Sequence, residues 1–448
     1  MKQFKDMEIR ELLYPNEYEC DCGKTHRSTV KDIVIGKNVF PDLLETVKGY
    51  GVKSIMVFAD RNTYEAAGKE LLGKLENEGF TLNTYIYPQE QVTADSFSVG
   101  QAALHFAKDS DMVLGIGTGT INDVCKIMSS ISGKPYVLYA TGASMDGFAS
   151  DTSSMVVDGL KFSVPSKAPD AIYSDVKVLA ASPKRLTRAG IGDVLAKLVS
   201  LSEWRISNIV NGEYFCRNIH DLIMKSLDAC RKNAEKYVSG DEDAMKEILE
   251  ALILPGVAMA YAGVTRPASG MEHYFSHLWE MRALEFGYKE YMHGEQVGVG
   301  TLLALRVYDR LKGMKAPDRE SAIEKRKTFS KEDWKKEIRA FLGNSAEEVI
   351  RTEERENRYD YDTYLKRLDS IILHWDEIME IINSMPSERE IRGIMERIGA
   401  MTEPSEMGIQ KEVVKDTFRY TKDVRNKYIC SSLLFDIGLL DEVADELF

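Results

Sequence analysis

Three of the chain's seven histidines fall within one short stretch, "EHYFSHLWEMRALEFGYKEYMHGEQ". His273 and His277 are four residues apart, which puts both rings on one face of a helix. His293 precedes Gly294 and the apolar run "VGVGTLLAL", so a new helix is expected to start there and return the third ring toward the first two. Neutral imidazoles on converging elements are the commonest holders of zinc, nickel or ferrous iron. Glu272 stands before the first histidine, so the order is neither His-Glu-x-x-His nor His-x-x-Glu-His, and a metalloprotease loses its general base. A catalytic divalent site completes its set with a carboxylate and keeps one position open. "AGIGDVLAK" offers Asp193, an acid among glycines and small apolar residues at the expected start of a helix, where an N-cap is the plain alternative.

A second group points to phosphate. "VLGIGTGTINDVCK" puts Gly115, Gly117 and Gly119 between a buried strand and a helix. Glycines there permit positive φ and let backbone N–H groups approach an anion at a helix N-terminus; a tight strand-to-helix turn explains them equally well. The spacing departs from G-x-G-x-x-G, and no Gly-Lys-Ser/Thr follows, so neither dinucleotide fingerprint nor P-loop is present. Asp60 ends an earlier strand, where a carboxylate can accept from a ribose diol and repel a 2′-phosphate, or merely cap the next helix. "CDCGKTH" supplies Cys20, Cys22 and His26, three potential zinc ligands without a fourth nearby, so a hairpin beside an edge strand is the expectation.

The elements that must position these groups read as follows. "TVKDIVIG" is an extended segment at a sheet edge, and "KSIMVFAD" is a compact apolar run that belongs inside a sheet. Helix and strand then alternate through "TLNTYIYP", "DMVLGIG" and "KPYVLYAT", which predicts a parallel sheet with helices on its faces. From about residue 181 the pattern turns to long amphipathic helices. A boundary is therefore placed between an α/β domain, 1–180, and an all-α domain, 181–448, with a charged helical insertion around 310–370 whose mixed signs suit solvated helix faces.

At 448 residues and a net charge of −13, the chain is long enough for two cores, and its negative mean potential disfavours nucleic acid and anionic lipid. An anionic small substrate would need basic groups gathered locally. The N-terminus lacks the apolar core of a signal peptide, and "ALILPGVAMAYAGVT" is too short to span a bilayer and is broken by Pro255-Gly256, so a cytoplasmic protein with no integral membrane segment is expected. Six cysteines in so long a chain fit reduced thiols.

Together, "CDCGKTHRSTVKDIVIG", the glycine loop, "YATGASMDGFASDTSSM", "LTRAGIGDVLAKLVSLSEW", "RPASGMEHYFSHLWE", "MHGEQVGVGT", "EPSEMGI" and "DVRNKYICSSLLFDIG" resemble the iron-containing (group III) alcohol dehydrogenase, glycerol dehydrogenase and dehydroquinate synthase-like superfamily, and within it the sn-glycerol-1-phosphate dehydrogenase family. The resemblance covers most of the chain. It implies a Rossmann-like domain and a helical domain with the active site in the cleft between them, and a homo-oligomer, a dimer or larger. It implies Asp193, His273 and His293 as ligands of one divalent ion (zinc, nickel or iron), with His277 lining the site. For NAD(H) or NADP(H) it implies Asp60, Gly115, Gly117, Thr118, Gly119, Thr120, Asp123, Thr141 and Ser150, with Lys126 in the same loop. Asp146 matches the family's substrate-binding aspartate. The implied reaction is the reversible reduction of dihydroxyacetone phosphate to sn-glycerol 1-phosphate for glycerophospholipid-type metabolism. His277 is a candidate to pass a proton, or a supporting neighbour. Arg266, backed by Lys161 or Lys167, is the candidate for the substrate phosphate. A polyol dehydrogenase acting on an unphosphorylated substrate and a dehydroquinate synthase-like lyase are the alternatives. The loop departs from the family where it reads "GTGT", and residues 310–370 exceed what relatives require.

Overall fold

Apolar runs flanked by polar residues become the strands of one parallel sheet in the computed structural model, which describes residues 3–157 and 160–448. A hairpin of β1 (Glu17–Glu19) and β2 (Thr25–Arg27) precedes β3 (Asp32–Gly36). There follow α1 (Phe40–Gly49), β4 (Ser54–Asp60), α2 (Arg61–Thr63), which continues through Tyr64–Gly68 into α3 (Lys69–Asn77), and β5 (Thr81–Tyr87). Next come α4 (Ser96–Leu104), β6 (Met112–Gly117), α5 (Gly119–Ser132) and β7 (Tyr136–Ala140). The antiparallel pair β8 (Thr152–Val157) and β9 (Leu160–Pro165) intervenes before β10 (Ala171–Asp175) rejoins the sheet.

The strand order is β3-β10-β7-β6-β4-β5, with every neighbouring pair parallel. β3 lies at an edge and β4 inside, as their patterns predict: β4 is buried without a break from Ile55 to Ala59, whereas β3 alternates. From β4 the chain steps outward to β5 and returns on the other side of β4 as β6. Open α/β sheets bind ligands at such a reversal, outside the carboxyl ends of the strands. Asp60 ends β4 and Gly117 ends β6, so both stand at that point.

The chain then becomes helical: α6 (Val176–Ala181), α7 (Lys184–Leu195), α8 (Lys197–Asn211), α9 (Arg217–Ser239), α10 (Glu242–Ala262), α11 (Met271–Phe286) and α12 (His293–Leu311), followed by further helices to Leu447. Two compact units result. One comprises Met1–Val194 with Asn218–Val264 and contains the sheet; the other comprises Leu195–Arg217 with Thr265–Phe448 and is built from helices. The Pro255-Gly256 pair does not break its segment. α10 runs through both, because a helix interior tolerates the lost hydrogen bond when tertiary packing holds it, and Pro255 and Gly256 are both buried.

The charged stretch forms the helices Arg319–Lys327, Lys331–Leu342, Ala346–Glu356 and Tyr361–Leu373. Trp334, Ile338, Leu342, Tyr364 and Leu368 face inward, while Arg319–Asp369 (2.6 Å), Arg339–Glu347 (2.7 Å) and Lys335–Glu354 (2.9 Å) pair near the surface. Exposed pairs of this kind contribute about 1 kcal/mol or less each, so packing, not charge, fixes these helices. Among the described residues no helix is long and apolar enough to cross a membrane. None of the six cysteines is in a disulfide.

Candidate functional site

The helical unit contains the three histidines. His273 is nearly buried on α11, and its Nδ1 lies 2.8 Å from Glu272 Oε1. A carboxylate oxygen accepts, so the proton sits on Nδ1 and Nε2 carries the ring's lone pair. Glu272 is itself held, its Oε1 accepting from the Gly270 N–H at 2.7 Å. His277, one turn further on, and His293, the first residue of α12, share a second acid: Glu280 takes His277 Nδ1 on Oε2 and His293 Nδ1 on Oε1, each at 3.2 Å. One carboxylate thus fixes two tautomers. Burial pushes His277 down to about 3, so its ring is neutral near pH 7. The ring centroids stand 5.3 Å apart for His273 and His293 and 5.8 Å for His277 and His293.

Close approach of α11 and α12 makes this possible, and it depends on Gly300. A Cβ there would fall 2.4 Å from the Glu272 carbonyl oxygen and 3.2 Å from Phe275 Cβ. Gly300, the last glycine of "HGEQVGVGT", is therefore a packing requirement.

In the sheet-containing unit, Asp193 has no exposed surface. The sequence suggested a helix start, but Asp193 lies in the last turn of α7, which began at Lys184. Near a helix C-terminus the macrodipole disfavours a carboxylate, and a nearby cation reverses that cost. Its Oδ2 accepts the backbone N–H of Asp146 at 2.9 Å. Asp146 belongs to the segment Thr141–Asp151, which other elements clamp from several sides. A Cβ at Gly190 of α7 would meet the Ala143 carbonyl oxygen at 2.3 Å, and one at Gly256 of α10 would meet the Ala149 backbone carbon at 2.7 Å. From α5, the Asn122 amide donates to the carbonyls of Gly147 and Phe148, both at 3.3 Å.

Lys126 completes the clamp. Its wholly buried ammonium donates to the Gly147 carbonyl (2.6 Å), Ser150 Oγ (2.9 Å) and the Thr152 carbonyl (3.1 Å), with Asp123 Oδ1 at 3.4 Å. Burial lowers the affinity of Lys126 for its proton and raises that of Asp123. The resemblance grouped both with a pyrophosphate loop; Lys126 here braces the stretch from Gly147 to Thr152, with Asp123 beside it. Thr141 N–H donates to the Gly117 carbonyl at 3.1 Å, and Thr141 and Ser150 are both buried.

None of Gly115, Gly117 and Gly119 has the positive φ expected of them. Proximity explains them instead: a Cβ at Gly115 would meet Cys125 Sγ and the Tyr136 hydroxyl at 2.9 Å, one at Gly117 would meet Ile121 at 2.7 Å, and one at Gly119 would meet Met145 at 3.0 Å. Thr118 precedes α5, and Thr120 lies in its first turn, at the helix end where unbonded N–H groups point outward. Asp60 does cap the following helix, its Oδ1 accepting from the Thr63 N–H at 2.9 Å.

Arg266 is only 3% exposed, and four of its five N–H groups are engaged: Nε and Nη2 with Glu213 (2.7 and 2.5 Å), Nη2 also with Ser207 Oγ (3.0 Å), and Nη1 with the Tyr428 carbonyl (2.9 Å). The cation expected to receive a phosphate is committed to an internal ion pair. Lys167 pairs with Asp170 at 2.6 Å, and Lys161 lies on β9. Sequence reading missed Glu272 and Glu280 as supporting groups. The signal for Glu280 was present, since 273, 277 and 280 share one helix face, but an acid in a chain with 71 of them carries no message alone, and Glu272 had no such spacing.

One ligand atom each from Asp193, His273 and His293 lies within 4.8 Å of the others. A carboxylate with two imidazoles, each ring oriented by an acid on Nδ1, is a donor set that fits zinc, nickel or ferrous iron.

Comparison with known proteins agrees. Residues 34–183 match the family of iron-containing alcohol dehydrogenases. The glycerol-1-phosphate dehydrogenase (NAD(P)+) of Halalkalibacterium halodurans is 28% identical over 413 residues, 91% of this chain and 93% of its own length. That of Bacillus subtilis is 33% identical over 291 residues, 64% of this chain and 74% of its own. Among solved structures, glycerol dehydrogenase from Schizosaccharomyces pombe has the same fold, with a TM-score of 0.59 at 18% identity over 93% of this chain and 90% of that one. The chain belongs to the glycerol-1-phosphate dehydrogenase family of the iron-containing alcohol dehydrogenases.

Proposed function

We propose that the protein catalyses the reversible NAD(P)-linked reduction of dihydroxyacetone phosphate to sn-glycerol 1-phosphate, a building block for glycerophospholipid-type metabolism, with one divalent cation on Asp193, His273 and His293. The gathering of one carboxylate and two imidazoles of fixed tautomer, in a chain whose relatives carry the name glycerol-1-phosphate dehydrogenase, carries this reading. When bound, the cation supplies Lewis acidity toward the ketone oxygen, and the reduced nicotinamide supplies the hydride.

The chain's own share is to position, exclude water and handle one proton. Backbone N–H groups at Thr118–Thr120 and the positive end of α5 suit a pyrophosphate, and Asp60 at the neighbouring strand end suits a ribose diol. Thr141 and Ser150 support the dinucleotide from the clamped segment. Asp146 fixes Asp193 through its backbone N–H and offers its side chain to a substrate hydroxyl. His277, neutral and with Nδ1 donating to Glu280, presents Nε2 as a hydrogen-bond acceptor toward the substrate hydroxyl, and its low affinity for a proton favours orienting that hydroxyl over storing its proton. A homo-oligomer, dimer or larger, accompanies this reading and is measured by light scattering.

The deciding experiment gives purified protein NADH or NADPH with dihydroxyacetone phosphate or dihydroxyacetone, before and after chelation, with metal analysis and chiral analysis of the product. Metal-dependent turnover selective for the phosphorylated ketone is expected. Equal turnover of both ketones would assign a polyol dehydrogenase, and no net consumption of reduced cofactor would assign a lyase.

A further inference from the structure

The hairpin β1–β2 has little apolar surface with which to hold itself in place. Its six residues alternate outward, and only His26 is fully buried while Tyr18 is half-buried. Two-stranded hairpins are marginal in water without a further staple. Its turn carries Cys20 and Cys22, and the Gly23 N–H closes that turn onto the Cys20 carbonyl at 2.9 Å, with φ of 84° at Gly23.

The fourth ligand that the local sequence lacks comes from Cys216, a buried residue just before α9 and 190 positions beyond His26. One ligand atom each from Cys20, Cys22, His26 and Cys216 lies within 4.8 Å of the others. We propose that these four residues form a second, structural metal site of Cys3His type that binds zinc and fastens the N-terminal hairpin to the α9–α10 helices.

Three observations beyond proximity carry the proposal. His26 Nδ1 lies 2.8 Å from the Tyr261 carbonyl, an obligate acceptor, so the proton is on Nδ1 and the Nε2 lone pair faces the sulfurs, 3.2 Å from Cys22 Sγ. That is the outer support a zinc-bound imidazole requires. The ring is also held in place, stacked on Tyr261 at 5.5 Å and edge-on to Phe4 at 5.4 Å. Asn218, on the first turn of α9, donates its amide to Cys20 Sγ at 3.4 Å, which suits a sulfur that carries charge. Zinc–sulfur bonds of about 2.3 Å in a tetrahedron put sulfurs about 3.8 Å apart, inside the observed limit. Four protein ligands close the coordination sphere, so the site has a structural role and leaves no position for substrate. Zinc displaces the three thiol protons, and nothing is oxidised or reduced.

The test uses the full-length protein stripped of metal under reducing conditions and reconstituted with Co2+. Thiolate-to-cobalt charge transfer in the near ultraviolet can come from this cluster and cannot come from Asp193, His273 and His293. We expect that band in the wild type and in Asp193→Ala, and its loss in Cys216→Ser, whose ketone reduction persists. Metal per chain should fall from two ions to one in Cys216→Ser. Should Cys216→Ser fail to fold, stoichiometric zinc release from the native wild type by a mercurial reagent, with three thiols modified per zinc, serves in its place. A wild type without the charge-transfer band, a Cys216→Ser protein that keeps it, or a native disulfide among these cysteines would each overturn the assignment.

Discussion

Replacing Gly300 by alanine tests whether the spacing of two helices holds the ligand set. The added Cβ would lie 2.4 Å from the Glu272 carbonyl oxygen, against 3.4 Å for ordinary contact, so α12 must withdraw from α11 by about 1 Å. The obstructing atom is backbone and cannot rotate away. It belongs to the residue before His273, and Gly300 is seven residues, two helical turns, from His293. Ligand distances in a metal site tolerate about 0.2 Å, so a displacement five times larger separates His293 from His273 as donors. Overpacking costs about 1–3 kcal/mol, offset by up to about 1 kcal/mol from alanine's better helix propensity. The expected outcome is a net loss of about 0–2 kcal/mol in stability with a much larger proportional effect on metal affinity, on the order of 10–100-fold. Competition between the loaded enzyme and a chromophoric chelator measures the affinity, and thermal melting measures the fold. Gly393→Ala is the control, since the nearest atom there is the tip of Arg397 at 3.5 Å and the helix Glu388–Arg397 should accept it. A folded Gly300→Ala protein with wild-type metal affinity refutes the reasoning.

Further outcomes are expected. Glu280→Gln offers one acceptor where two Nδ1–H groups need one each, so metal affinity should fall about 10–100-fold in chelator competition, and an unchanged affinity would take Glu280 out of the support. Asp60→Asn keeps the cap to Thr63 and removes the charge, so kcat/KM with NADPH should rise relative to NADH; an unaltered ratio would remove Asp60 from the ribose. Lys126→Met removes the one cation that bridges three buried acceptors and leaves Asp123 without its ion-pair partner, so it should lower stability by on the order of 3 kcal/mol and raise KM for the dinucleotide more than for the ketone, whereas a wild-type melting curve would contradict the strut. Burial and the neighbouring Glu272 push Glu203 up from 4.5 to about 8, so the folded chain holds that proton more tightly than the unfolded one. Stability should therefore fall as pH rises from about 4.5 through about 8, and Glu203→Gln should flatten that part of the melting profile; parallel profiles would refute it.

The sheet was legible where burial is two-sided. β4 and β6 are continuous apolar runs, and only a strand between two others has that composition. β10 was not legible, because "AIYSD" is five residues long and owes its place to pairing with β3 and β7, which no local pattern announces. The histidine face could be read from a four-residue spacing. The reason for the glycine loop could not, since the clash of a Cβ at Gly117 with Ile121 exists only once α5 lies across β6. Asp193 was given the wrong end of its helix because Gly190 and Gly192 look like punctuation, whereas Gly190 is the point where α7 meets the Ala143 carbonyl. Arg266 displayed its charge in the sequence but not its partner, Glu213, 53 residues away. Long-range pairing hid Cys216 in the same way.

With the cofactor and cation placed as proposed, the segment from Thr141 to Asp151 would tie two ligands into one thermodynamic cycle. The proposed function gives Thr141 and Ser150 to the dinucleotide and Asp193 to the cation, and the N–H of Asp146 donates to the Asp193 carboxylate. On that reading, any free energy that NAD(P)H contributed to stiffening this stretch would also favour the cation, and reciprocity would require the cation to return the same factor to NAD(P)H. A metal dissociation constant would then be not one number but a function of cofactor concentration, and depletion of either ligand would loosen the hold on the other.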